Sequence, residues 1–436
     1  MKKERLDIEE NIATAQEGYQ ELPENLQQKL AWFKDQKIGV IFHWGLYAAA
    51  GIVESWQLSE EDTWARKEPW RDNLSDLRHD YWELNKQFDP RRFDAAEWAA
   101  ACRKAGFKYM IFTTKHHDGF TMYDTHVSDY KITAKECPFH TSSDADVFKS
   151  LSQAFRDEEI AVGAYYSKPD WHCPYYWEPG ARPKGRYASY DPLEKPQLWE
   201  KYNQFVKDQL VELSSNYGAI DILWLDGGWV NHANHEFLDM DDIARSVRRH
   251  QPDMLIVDRT IGGQYENYVT PERKIPDVVP KKAWESNIPL AKNWGYVPND
   301  VYKSFDEILT SLVKIVSLGG NVIFGVGPKP DGTLPEEALA LMSELGTWLS
   351  HFGEAIYGTR PYRTTELNGT YFTQTADAVY AFVGQDAPHE LNLTELRLTV
   401  DSATLMNSRT ALAVAGNLVS VPASDALFQV VKFVKM

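Results

Sequence analysis

Cysteine is scarce: the chain of 436 residues carries three, Cys102, Cys137 and Cys173. Three scattered thiols cannot build a disulfide framework, nor do they have the paired spacing of a thiolate metal site. Long apolar runs are also missing, and no stretch approaches the ~20 residues that a membrane-spanning helix needs. Basic charge is in deficit, with 46 Lys and Arg against 63 Asp and Glu and a formal net charge of -17. That balance argues against a nucleic-acid or anionic-membrane partner and suits a neutral or cationic ligand. Residues 1–10 have a basic start without an apolar core behind it, so the sequence as written has no signal peptide. A cytoplasmic protein is expected, unless a leader has been removed. Internal repeats, low-complexity segments and an early glycine-rich dinucleotide fingerprint are lacking as well. A homo-oligomer is left open.

Aromatic residues, by contrast, make up 13% of the chain, including 15 Trp and 22 Tyr. Many of these rings belong to a core, but a surplus of Trp is also what a carbohydrate-binding cleft requires. The stretch 221–229 organises the rest. Ile222-Leu223-Trp224-Leu225 suits a strand buried on both faces, and it stops at Asp226 followed by two glycines. In a parallel barrel or open sheet, strand ends deliver side chains to the active-site rim. Trp224 lies two residues before Asp226, so both side chains leave the strand on one side. A carboxylate beside an aromatic face can hold and attack a sugar. The plainer alternative is that Asp226 caps a following helix.

Five further apolar runs have the same form, at 38–45, 109–120, 160–167, 254–259 and 321–327. Helical patterns separate them at 93–105, 146–156, 196–216, 241–250, 304–317 and 335–351, after a polar helical stretch at 11–33 broken at Leu22-Pro23. Alternation of this kind predicts βα units and a parallel sheet. Polar residues follow the C-terminal ends of nearly all the strands. A (β/α)8-like TIM barrel builds its site from many strand ends, whereas a doubly wound sheet gathers it at one switch point. The barrel is therefore the expected fold. Beyond Gly358 the texture changes to short alternating strands, at 371–375, 378–383, 396–400 and 427–434, which predict a small β-sandwich. The expected division is a catalytic barrel at 1–357 packed directly against a C-terminal sandwich at 358–436.

His116-His117-Asp118 admits three readings. Imidazole and carboxylate suit a zinc or manganese ion, but adjacent histidines on a regular strand point to opposite faces. Neutral imidazoles can also hydrogen-bond to sugar hydroxyls, or simply be satisfied by neighbouring loops. His43 has the same ligand-or-structure ambiguity. If Asp226 is a nucleophile, glycoside hydrolysis requires a second carboxyl group. Glu266, Glu272 and Glu285 are the downstream candidates, each of which could equally be a solvent-facing loop charge.

Together these segments carry a family resemblance. Phe42-His43-Trp44-Gly45, Lys115-His116-His117-Asp118-Gly119-Phe120, Trp224-Leu225-Asp226-Gly227, Leu318-Gly319-Gly320-Asn321, Gly327-Pro328 and Gly353-Glu354-Ala355-Ile356-Tyr357-Gly358 stand in order across residues 32–358. The chain resembles the α-L-fucosidases of glycoside hydrolase family 29. The resemblance implies a barrel with a C-terminal β-sandwich and a retaining double displacement that uses no metal or other cofactor. It makes Asp226 the nucleophile. It makes His43, His116, His117, Arg259 and Tyr165 (rather than Tyr166) contacts of the sugar, with Trp224 and Trp56 lining its pocket. The family's Ser-Glu-Trp order appears here as Glu54-Ser55-Trp56, so the contact normally made by that Glu is open. For the acid/base, some members use a Glu in a Thr-Pro-Glu context, here Glu272, and others the Glu of a Trp-Glu pair, here Glu285. Glu272 is preferred. The implied substrate is a fucosylated oligosaccharide or glycoconjugate, with the Thr270-Pro271-Glu272 context pointing to restriction to α-1,3/1,4 linkages. Phe120 is a further candidate to cover the sugar methyl group. Two other classes remain: a non-catalytic fucose-binding protein on the same scaffold, and a metal-dependent hydrolase using His116 and His117.

Overall fold

Eight strands form one parallel sheet: β1 (Ile38–Phe42), β2 (Tyr109–Lys115), β3 (Ala161–Ser167), β4 (Ile222–Asp226), β5 (Leu255–Val257), β6 (Tyr268–Val269), β7 (Ala283–Pro289) and β8 (Asn321–Val326). Their order is β5-β4-β3-β2-β1-β8-β7-β6. The ends of this sheet meet at Asn267, whose amide N–H donates to the Ile256 carbonyl at 2.9 Å and whose side-chain oxygen accepts from the Ile256 N–H at 2.8 Å. The structure is a computed structural model that describes residues 14–19, 21–259 and 265–436.

Strand alternation divides the side chains into two sets, as a closed sheet requires. Ile41, Ile111, Tyr165, Ile222, Trp224, Val257 and Ile323 fill the barrel interior. Val40, Phe42, Met110, Phe112, Val162, Ala164, Leu223, Leu225, Val322 and Phe324 face outward into the core shared with the helices. The helix Glu24–Gln36 lies under the barrel, where Phe33 stacks on Tyr268 with ring centroids 4.2 Å apart. Residues 14–19 form no helix, and 11–13 and 20, also within the expected N-terminal helical stretch, lie outside the described residues.

The outer helices begin where their caps predict. Asp94 and Asp146 accept from first-turn amides, and Ser304 forms a capping box with Glu307. The helix Pro196–Asn216 has the expected bounds. Two strands were not expected from the sequence. β6 has only two residues, and β7 reads Ala-Trp-Glu-Ser-Asn-Ile-Pro, too polar for an apolar-run criterion although every residue of it is buried.

From Arg360 the chain is antiparallel. Strands β9 (Arg360–Leu367), β10 (Thr370–Gln374), β11 (Ala378–Gly384), β13 (Val400–Leu405), β14 (Thr410–Leu412) and β17 (Phe428–Lys435) form a six-stranded sheet, opposed by β12 (Glu390–Asn392), β15 (Val414–Ala415) and β16 (Leu418–Ser420). The run expected as a strand at 396–400 is instead a turn that leads into β13. Val379, Ala381 and Val383 of β11 face the second sheet, while Tyr380 and Phe382 join the barrel-side core.

Candidate active site

The C-terminal ends of β1 to β5 bring the sequence-derived residues together around Asp226. This carboxylate ends β4 and caps no helix: the next α-helix is Met240–Arg248, capped by Asp239. Gly227 turns the chain at once with φ +93°, and a Cβ there would lie 2.3 Å from Pro169. Asp226 Oδ2 accepts from the Tyr165 hydroxyl at 2.6 Å, and Oδ1 accepts from Arg259 at 2.8 Å. The hydroxyl of Tyr166 points elsewhere, to Gln209 at 2.8 Å. Burial alone would raise the Asp226 carboxyl, but Arg259 beside it and the Tyr165 hydrogen bond hold it well below the usual carboxylate range.

Arg259 follows β5 in a left-handed backbone conformation, φ +50°, and is 4% exposed. Its guanidinium lies over the Trp224 ring at 4.6 Å, a cation–π arrangement. Its second terminal nitrogen donates to Glu272 Oε2 at 2.6 Å. One guanidinium thus holds two carboxylates.

The three downstream glutamates separate cleanly. Glu272 lies past the C-terminal end of β6, in an isolated bridge with Asn287 of β7, and reaches Arg259. Glu266 precedes β6, at the opposite end of the barrel, where it accepts from Thr14 and lies 3.7 Å from Lys282. Glu285 is not a loop residue: it projects into the barrel interior from β7, accepting from the Tyr109 hydroxyl at 2.6 Å and the Trp224 indole at 3.4 Å. Burial raises its carboxyl to about 7.

The histidines line one wall. β2 ends at Lys115, so His116 and His117 leave regular strand geometry and their rings pack 4.2 Å apart. His116 pairs through Nδ1 with the Ser55 hydroxyl at 2.6 Å, and burial lowers it to about 4. Burial also pushes His43 and His117 well below the usual imidazole range, so all three rings are neutral. Neither ring nitrogen of His117 has a protein partner among the described residues, nor does His43 Nδ1 or Arg259 Nε. Buried polar atoms without partners are costly and point to a ligand that supplies them. The rings around His117 are Trp56 at 4.9 Å, Trp229 at 5.0 Å and Trp171 at 5.3 Å. Among the described residues no three His, Cys, Asp or Glu side chains converge as a metal site would require. The geometry is that of a cleft for a polyhydroxylated ring: neutral donors and acceptors, aromatic faces and two carboxylates. Phe120 lies apart from this wall, packed between Phe88 and Tyr130.

Comparison with known proteins identifies the family. The family model described as Alpha-L-fucosidase matches residues 7–354. The chain belongs to the α-L-fucosidase family. It is 30% identical over 398 residues to tissue alpha-L-fucosidase of Macaca fascicularis, covering 87% of this chain and 80% of that one. Alpha-L-fucosidase of Dictyostelium discoideum is 27% identical over 376 residues, or 81% and 77% of the two chains. Among solved structures, alpha-L-fucosidase isoenzyme 1 from Paenibacillus thiaminolyticus superposes with a TM-score of 0.80 at 27% identity, covering 94% of this chain and all of that one.

Within the family frame, sequence reasoning missed one aromatic residue at the centre of the cleft. Trp294 follows β7, stacks on His43 at 5.2 Å and donates from its indole to Glu272 Oε1 at 3.3 Å. The only signal was a Trp-Gly pair, and with β7 unrecognised nothing placed it at a strand end. Arg186, whose guanidinium lies 4.6 Å from the Trp56 ring, was missed because it sits in the long irregular segment between β3 and the helix Pro196–Asn216, where no periodic pattern singles it out.

Proposed function

We propose that this glycoside hydrolase releases terminal α-L-fucose by retaining double displacement, with Asp226 as nucleophile and Glu272 as acid/base. The observation that carries the reading is Arg259, which contacts both carboxylates at 2.8 and 2.6 Å and so keeps them close. A short separation, about 5 Å, is what a retaining glycosidase uses, because no water has to fit between nucleophile and sugar. Asp226 is held ionised by Arg259 and Tyr165, as a nucleophile must be. In the first step an Asp226 oxygen bonds to the anomeric carbon, the glycosidic C–O bond breaks, and the leaving oxygen takes the Glu272 proton. In the second step the Glu272 carboxylate takes a proton from water, whose oxygen displaces Asp226 and regenerates both side chains. His43, His116 and His117 bind the sugar hydroxyls, Trp56 lines the pocket and Trp224 supports it from beneath, through its contact with Arg259.

Glu285 is disfavoured as acid/base because its carboxyl is fully buried and committed to Tyr109 and Trp224. The substrate class is fucosylated oligosaccharides or glycoconjugates, with α-1,3/1,4 restriction the finer expectation from the Thr270-Pro271-Glu272 context. Hydrolysis of 4-nitrophenyl α-L-fucoside tests the chemistry. Asp226→Ala is expected to lose at least ~10³-fold in rate and to regain turnover with azide, giving β-fucosyl azide. Unchanged hydrolysis by that variant would remove Asp226 from the mechanism. Faster cleavage of branched 1,3- or 1,4-fucosides than of the aryl substrate would support the linkage restriction.

A further inference from the structure

Three consecutive residues after β1 reach three different parts of the site. Ser55 pairs with His116, the Trp56 ring packs on His117, and Glu54 turns the other way. Glu54 is 2% exposed and has φ +37°, a conformation that non-glycine residues adopt rarely and that clusters at functional sites. Its Oε1 accepts from the Gly295 amide at 2.6 Å. Gly295 immediately follows Trp294, whose indole donates to Glu272.

The segment around Trp294 is fitted on its other sides as well. A Cβ on Gly325 would lie 2.6 Å from the Trp294 ring, and one on Gly327 would lie 2.4 Å from the Gly295 and Tyr296 backbone. These two glycines alternate along the end of β8, so the same side of the chain is bare at both. Tyr47 closes the remaining side, since a Cβ on Gly295 would meet its ring at 2.8 Å. Outside, the Arg273 guanidinium lies 5.1 Å from the Trp294 ring and 4.0 Å from Glu272.

We propose that Glu54 is a positioning residue that latches the Trp294-Gly295 segment, so that the Trp294 indole N–H fixes the orientation of the Glu272 carboxyl. The proposal rests on Glu272 being the acid/base, as argued above. Glu54 touches no reacting atom: it holds the backbone amide next to Trp294, and Trp294 holds Glu272 Oε1 while its ring lies against His43. The carboxylate that precedes Ser55-Trp56 in this chain is thus engaged by the Gly295 amide.

A positioning role for the acid has a signature that general loosening of the fold lacks. Proton donation matters more for a poor leaving group than for a good one. The experiment compares kcat/KM for phenyl α-L-fucoside and 2-chloro-4-nitrophenyl α-L-fucoside in the full chain, because kcat/KM reports the first, acid-assisted step. For Trp294→Phe and Glu54→Ala, the loss on the phenyl substrate is expected to exceed the loss on the activated one by about tenfold or more. Glu54→Gln keeps an oxygen able to accept from Gly295 and is expected to remain within about threefold of wild type on both. Equal losses on the two substrates, no loss, or a Glu54→Gln variant as impaired as Glu54→Ala would overturn the latch. If Glu54→Ala fails to fold, Trp294→Phe and Glu54→Gln still decide. Glu272→Gln run alongside separates the two readings: if it lacks the leaving-group dependence, the acid/base assignment fails, whereas if it has the dependence and Trp294→Phe does not, only the latch fails.

Discussion

Arg259 concentrates the electrostatics of the site in one side chain. It is nearly excluded from solvent, lies on the Trp224 ring and contacts both carboxylates. Burial would favour a protonated Asp226, and the positive charge at 2.8 Å reverses that preference. Removing the charge while keeping the burial must therefore raise the Asp226 carboxyl. Because the reaction needs Asp226 ionised, the acidic limb of the kcat/KM profile in Arg259→Ala is expected to move to higher pH. The rate at the optimum should fall by about 10²-fold or more. Arg259→Lys keeps a charge without the two-armed geometry, so its acidic limb should move less than that of Arg259→Ala even if its rate is low. A pH series on the aryl fucoside checks both. An acidic limb that stays in place in Arg259→Ala would mean that Tyr165 and neighbouring dipoles suffice to keep Asp226 ionised.

At the scale of elements, six of the eight barrel strands were legible because each is a short apolar run buried on both faces. The other two were not, for physical reasons that differ. β6 is two residues long, below any periodicity. β7 contains Glu285, Ser286 and Asn287, whose polarity suggests a loop until the structure supplies their surroundings: Tyr109 and Trp224 for Glu285, and the Lys274 carbonyl for Ser286. Partners distant in sequence are invisible to a hydropathy pattern. For the same reason Asp226, His43, His116, His117, Tyr165 and Arg259 could be placed at strand ends, while Trp294 beyond the unrecognised strand could not. The buried carboxyl on β7 has a measurable consequence. Its value is about 7 when folded, against the ordinary 4.5. Between those values the folded chain holds a proton that the unfolded chain has shed. Its contribution to stability is thus fully present below about 4.5 and is lost as pH rises through about 7. Glu285→Gln removes this titration. Relative to wild type, its melting temperature is expected to rise between about pH 5 and pH 8, by an amount of order a few °C. A gap independent of pH would show that Glu285 ionises in the barrel without penalty.

Across the whole molecule, the C-terminal strands do more than follow the barrel in sequence. One face of their larger sheet completes its own sandwich core, and the other supplies Tyr380, Phe382, Phe428 and Val430 to the core that runs into the barrel's helices. The Phe382 ring lies 6.4 Å from that of Trp348 in the helix Glu336–Phe352. Two ion pairs also bridge this region, Lys432–Glu354 at 2.8 Å and Arg360–Asp35 at 2.6 Å, but their side chains are roughly a third to a half exposed. Exposed pairs contribute about 0–1 kcal/mol each, whereas truncating a fully buried Phe costs about 3–5 kcal/mol through lost transfer energy and the cavity left behind. The apolar face therefore dominates the attachment. Since both sides depend on it, barrel and sandwich should unfold together. Calorimetry of wild type is expected to give one transition, with loss of fucosidase activity following the same midpoint. Phe382→Ala should lower that midpoint by several degrees without touching the active site, and Lys432→Ala should leave it within about 1–2 °C. Two separated transitions, with activity surviving the first, would mean that the barrel stands without the sandwich and that the shared core contributes little to it.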